Sequence, residues 1–173
     1  MNSSSLKFKV LENLFEAYLE NPDSYTSIHN ILEEKGITSE ASIISFGYAL
    51  KSAGFLKGTS SCNSKGEFMA CIHVNGIDFI STTVKDETRK LIRFAIESEF
   101  EGYLPLEGKL DLIPNNKTYA QDIAQYLKEN GLATIKEDNG ALHFKLTDLA
   151  HIIFNGTPEE WNQENGEDLF KTA

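Results

Sequence analysis

The arginines of this chain stand four residues apart. Arg89 and Arg93 are its only two, and Lys85 continues the row one helical turn earlier. A guanidinium suits phosphate and carboxylate alike, since both present oxygens that match its planar fork. The row sits in the first half of a helical pattern, where the helix dipole favours anions over cations. Ion pairs within the fold account for it most simply, and an anion or acidic-partner site is the sharper reading. Three further constellations invite chemistry. Met69, Cys71 and His73 alternate along one stretch, but side chains two apart on a strand lie about 6.6 Å from each other, too far to converge on one metal. Gly108-Lys109 is spaced wrongly from Gly102 for a phosphate loop, and Leu110 replaces the required hydroxyl residue. His29, His73, His143 and His151 are scattered, and Glu97, Glu99 and Glu101 read as a solvated acidic run. No catalytic residue, metal site or cofactor is expected, and the chain reads as a non-enzyme.

Apolar spacing sets out the elements that would position these residues. Leu6, Val10, Leu11, Leu14, Phe15, Tyr18 and Leu19 recur at helical intervals and predict a helix over 6–20. A second helix is expected over 25–35 and closes at Gly36. A third is expected over 40–53, capped by Thr38 or Ser39 and closed by Gly54. Strands are expected over 55–61 and 67–74 around the turn Asn63-Ser64-Lys65-Gly66. A long helix follows over 84–100.

Three helices, a hairpin and a helix follow the order of a winged-helix domain. The stretch Ala49-Leu50-Lys51-Ser52-Ala53-Gly54-Phe55-Leu56 resembles the end of the third helix and the first wing strand of MarR-like winged helix-turn-helix proteins. Asn75-Gly76-Ile77-Asp78-Phe79-Ile80 resembles the short segment that follows the wing in that family. The resemblance covers roughly residues 6–82 and implies an architecture more than an activity.

A second copy is read at an offset of 77 residues, where Leu50-Lys51-Ser52-Ala53-Gly54-Phe55 aligns with Leu127-Lys128-Glu129-Asn130-Gly131-Leu132. Its helix over 118–130, opened by a capping box from Thr118 to Gln121, precedes strands over 132–137 and 141–146 around Asp138-Asn139-Gly140, a tight-turn signal. A helix then begins at Thr147. Residues 101–117 read as an irregular excursion in place of a second helix, so this copy is degenerate, and the long helix can double as its first. The expected fold is mainly α with small β-hairpins (α+β). It comprises a winged-helix-like domain over 1–83, the linking helix plus the second unit over 84–154, and an acidic tail over 155–173. In that tail, Thr157-Pro158-Glu159-Glu160 reads as a helix start, and Trp161, Leu169 and Phe170 as apolar anchors.

In a winged helix the third helix usually enters the major groove. Here its outward positions are Ser42, Ser45, Ala49 and Ser52, a smooth stripe without the Arg, Asn or Gln that reads a base edge. Lys51 lies beside it, and Lys57 and Lys65 lie in the hairpin, where they could meet phosphates. The matching helix of the second copy offers Tyr119, Gln121, Gln125 and Glu129, with Asp122 and Glu129 of the wrong sign for DNA. The charge argues the same way. The chain carries a net charge of −10. Residues 1–83 hold 6 Lys/Arg against 9 Asp/Glu, a net of −3, and residues 84–173 hold 10 against 17, a net of −7. Such a balance repels the phosphate backbone unless a local basic patch overrides it. The candidate binding residues are therefore Ser42, Ser45, Ala49, Lys51, Ser52, Lys57, Lys65, Lys85, Arg89 and Arg93. DNA, a protein partner or a second copy of the chain are the candidate partners.

The returning strand adds an argument for a partner. Met69, Cys71 and His73 leave it without a clearly polar face, so the second face should be covered by the other unit or by a second chain, as in a homodimer. No run approaches the roughly 20 apolar residues of a membrane span. The polar start Met1-Asn2-Ser3-Ser4-Ser5 and only two cysteines point to the cytoplasm. Tandem winged helices resembling those of acidic chromosome-organising subunits act as interaction surfaces, which makes a purely protein-binding adaptor the alternative to a DNA-contacting regulator.

Overall fold

Helix α1 (Ser3–Glu20) forms because Val10, Leu11, Leu14 and Tyr18 fall on one face, where all four are buried. It ends where Asn21 Oδ1 accepts the Asp23 N–H at 3.0 Å, a turn that competes with another helical step. The computed structural model describes residues 3–153, with side chains from 6 to 152. The anchors Trp161, Leu169 and Phe170 and the helix start at Thr157 lie outside the described residues.

The chain divides into two compact units, Met1–Ser81 and Thr82–Ala173. In the first, α1 is followed by β1 (Thr26–Ser27), α2 (His29–Glu34), α3 (Glu40–Ser52), β2 (Ser61–Cys62), β3 (Phe68–Ala70) and α4 (Val74–Ile80). The strands form an antiparallel sheet in the order β1-β3-β2. The second unit contains α5 (Thr83–Ser98), β4 (Leu104–Pro105), a 3-10 turn at Glu107–Lys109, α6 (Lys117–Glu129), β5 (Ala133–Asp138), β6 (Ala141–Leu146) and α7 (Asp148–Ile153). Its sheet is also antiparallel, in the equivalent order β4-β6-β5. The protein is α+β, with seven α-helices and two three-stranded sheets among the described residues.

The two units repeat each other at the level of single hydrogen bonds. Ser39 Oγ accepts the Ser42 N–H before α3, and Asn116 Oδ1 accepts the Tyr119 N–H before α6. Each is an N-cap, satisfying a donor the helix cannot. At the far ends, Gly54 (φ 82°) and Gly131 (φ 68°) take the left-handed conformation that suits glycine. Phe55 N–H then donates to Leu50 O, and Leu132 N–H to Leu127 O, closing the same C-terminal motif. Every one of these pairs is separated by 77 residues, the offset read from the sequence.

Several elements differ from expectation, for tertiary reasons. Residues 25–28 were expected to open the second helix, but Thr26 and Ser27 pair with Ala70 and Met69 instead. The hairpin is shorter than expected. Ser60 Oγ accepts the Cys71 N–H at 3.1 Å, so a side chain replaces a backbone partner there, and residues 57–60 turn. Only the bridge Leu56↔Ile72 continues the ladder beyond it. The strand expected to reach Val74 gives way to α4, capped by His73 Nδ1, which accepts the Asn75 N–H. Gly76 is required in that helix, because a Cβ there would stand 2.4 Å from the Phe55 carbonyl oxygen. The excursion over 101–117 contains β4 and the 3-10 turn, and the Asn139-Gly140 turn forms as the dipeptide predicts.

Part of the cover expected over the wing comes from within the first unit. β3 is the central strand, and Cys71 is 2% exposed with Sγ 3.5 Å from the Pro22 carbonyl oxygen. The turn after α1 therefore covers Cys71 from within the same unit, while Met69 and His73 are half-buried. No described helix is long and apolar enough to cross a membrane.

Candidate functional site

Helix α3 exposes the stripe expected of it. Ile43, Gly47 and Leu50 are buried, and Ser42, Ser45, Ala49 and Ser52 are exposed. Gly47 lets α3 approach the sheet closely, since a Cβ there would meet the Phe68 ring at 2.6 Å. Tyr48, missed by the sequence reading, also stands on the outer face. Its ring meets Phe68 edge-on at 5.0 Å and carries the Lys51 ammonium 5.8 Å from its centroid. The signal was available, because Tyr48 lies three residues from Ser45 on the same helical side. The face is thus small hydroxyls around one aromatic ring, with a single half-buried lysine beside it.

The hairpin cations do not assemble into a basic patch with it. Lys57 Nζ donates to the Pro22 carbonyl at 3.4 Å and lies 5.5 Å from the Tyr18 ring, so its charge is spent inside the fold. Lys65 is exposed in the turn over 63–66, which Asn63 Oδ1 closes by accepting the Lys65 and Glu67 N–H groups. The Glu40 carboxylate lies against Gly66 in the same turn.

Lys85, Arg89 and Arg93 belong to the second unit, the other seven candidates to the first. All three are half-buried on α5. Arg89 donates to Asp86 at 3.3 Å, and the Nε atoms of Arg89 and Arg93 are buried. Lys90 pairs with Asp111 at 2.9 Å, and that hydrogen-bonded carboxylate holds its ammonium above the usual lysine range. Lys109 lies 4.4 Å from the centre of the Phe94 ring, a cation–π contact.

The sequence reading also passed over Glu87, which is 3% exposed. Its Oε1 accepts the Leu112 N–H at 2.8 Å, the Asp111 N–H at 2.9 Å and the Tyr119 hydroxyl at 3.0 Å. The carboxylate thereby ties the segment before α6 to both α5 and α6. Burial, reinforced by the adjacent Glu87 charge, pushes the Tyr119 phenol above its ordinary range. A helical plot would have shown the anomaly, since Glu87 falls on the stripe of Val84, Leu91 and Ala95.

The second unit also carries a cleft of 470 Å³ at the C-terminal end of α5. Ala95, Ile96, Leu104 and Leu146 line it, and Glu99, Glu101, Asp148, Lys145 and His151 supply its polar groups. A shallower hollow of 300 Å³ lies between α6 and the β5–β6 hairpin, where Gln125 Nε2 donates to Glu129 and so is turned along its own helix. Among the described residues no group of three His, Cys, Asp or Glu is placed to hold a metal ion, and Cys62 and Cys71 are free thiols.

The architecture is that of an α+β protein whose two units share an element order and a sheet order. Comparison of the chain with protein-family models, with curated proteins and with solved structures finds no match.

Proposed function

We propose that this chain is a non-enzymatic binding protein of tandem winged-helix-like units, acting as an adaptor that recognises a protein partner. The order helix, strand, helix, helix, strand, strand in the first unit supports the winged-helix reading, and the second unit repeats it with a 3-10 turn for its second helix. The observation that carries the functional half is the outer face of α3. Ser42, Ser45, Tyr48, Ala49 and Ser52 form a smooth surface with one aromatic centre, suited to close packing against protein. It offers no bidentate reader of a base edge.

A regulator that contacts DNA is the second reading, favoured by Lys51 beside the stripe and by Lys65 at the exposed turn. Titration of generic duplex DNA into the full chain separates the two. The adaptor reading expects no binding even at low salt. Binding that weakens steeply with salt, and that falls when Lys51 and Lys65 are replaced by Gln, would establish the second reading instead. Replacing Arg89 and Arg93 by Gln tests the α5 row separately, with loss of any anion-dependent binding as the sign of a recognition role.

A further inference from the structure

The geometry points to the cleft of the second unit as the docking groove for a cationic amphipathic segment of a partner protein. This rests on the reading of the chain as a protein-binding adaptor and gives that partner a chemistry.

A large aromatic side chain is exposed at this cleft. Phe100 is 59% exposed at its rim, and α7 contributes Asp148 and His151 to the lining. Ala95 and Leu146, both buried, and Ile96 and Leu104 give the cleft an aliphatic portion. A cleft that sets aliphatic side chains and an exposed aromatic ring beside charged groups suits an amphipathic helix, which brings both an apolar stripe and a polar face.

Charge selects the occupant. Glu99, Glu101 and Asp148 stand on the rim, and α5 ends there at Glu99, directing the negative end of its dipole to the same place. Lys145 and His151 are the basic side chains facing the cleft. A segment with lysines or arginines flanking an apolar stripe would lay the stripe against the aliphatic portion and pair with the carboxylates. The other occupants bring the wrong charge. Residues 155–173 carry 1 Lys against 5 Asp/Glu, a net of −4, and a second copy brings a net charge of −10.

The test uses the full chain and a synthetic, fluorescently labelled 18-residue helix of leucine and lysine, with a glutamate-for-lysine counterpart. Anisotropy should show saturable binding of the cationic peptide, weakened by salt, and none of the anionic one. Phe100→Ser, and Glu99→Lys combined with Glu101→Lys, should each weaken binding by about tenfold or more with an unchanged circular dichroism spectrum. Failure of the cationic peptide to bind would overturn the proposal, as would binding that both variants leave intact. Two other results would also overturn it by naming a different occupant. A shift of Trp161 emission in the variants would assign the groove to the chain's own tail. Self-association of the wild-type chain, abolished by the variants, would assign it to a second copy. These results leave the adaptor reading standing on the DNA titration, so the two can fail separately.

Discussion

Removing the Glu87 carboxylate should unfold the second unit more readily than any exposed substitution. Glu87→Ala leaves three donors without their acceptor: the Asp111 and Leu112 N–H groups and the Tyr119 hydroxyl. A buried donor left unsatisfied costs about 1 to 3 kcal/mol. The two backbone groups are only part-buried and can recruit water, so about 1 kcal/mol each is appropriate, with about 1 to 2 kcal/mol for the phenol. The expected loss is about 3 to 4 kcal/mol. Glu87→Gln keeps one acceptor oxygen but turns an amide N–H towards the Asp111 N–H that Oε2 also accepts, and should cost about 1 to 2 kcal/mol. Urea unfolding followed by circular dichroism reads both values. A loss under about 1 kcal/mol for Glu87→Ala would refute the claim that this carboxylate organises the segment before α6. Alkali gives an independent check. The folded state keeps the Tyr119 phenol neutral above its ordinary range, whereas an unfolded tyrosine ionises near about pH 10. Stability from this group is therefore complete below about pH 10 and declines as pH rises further, by about 1.4 kcal/mol per pH unit. Tyr119→Phe removes that decline, so wild-type and variant stabilities should diverge in pH dependence only above about pH 10. Parallel curves would sink the assignment.

Two further perturbations address the packing of the units. Gly76→Ala places a methyl against the Phe55 backbone carbonyl and Gly47→Ala places one against the buried Phe68 ring, a side chain that can turn about its own bonds where a backbone carbonyl cannot, so the first should cost more, about 2 to 3 kcal/mol against about 1 to 2 in urea unfolding. The reverse order would show that the sheet contact at Gly47 is the stiffer one. Ser39→Ala and Asn116→Ala remove equivalent caps and should each cost about 1 kcal/mol. Amide hydrogen exchange should show each loss confined to its own unit's helix, and a global loss from either would mean that the units do not unfold separately.

Local chemistry made much of this legible in advance. The α3 and α6 helices, their closing glycines, the Asn139-Gly140 turn and the 77-residue offset follow from nearest-neighbour effects: apolar periodicity, the Ser39 cap of α3, and the positive φ that glycine tolerates, whereas α6 is capped by Asn116 and not by the box expected at Thr118. The exposed stripe of Ser42, Ser45, Ala49 and Ser52 was legible for the same reason, because a helix's buried side implies its outer one. Tertiary structure decided what depends on partners distant in sequence. Residues 26–27 became a strand because β3 was there to pair with them, and Cys71 was covered because Pro22 returns over it. The candidate cations divided on the same basis. Lys57 looked available in sequence, yet Pro22 and Tyr18 claim it, while Lys65 stays exposed at its turn. Glu87 shows the limit most directly. An acidic residue on an apolar stripe is an anomaly in sequence, and only the fold brings it three donors from 24 to 32 residues away. The Lys85, Arg89 and Arg93 row was equally visible as a spacing, but the half-burial of all three and the Asp86 pairing of Arg89 come from the surrounding structure, because the depth at which a charge sits is set by what packs around it.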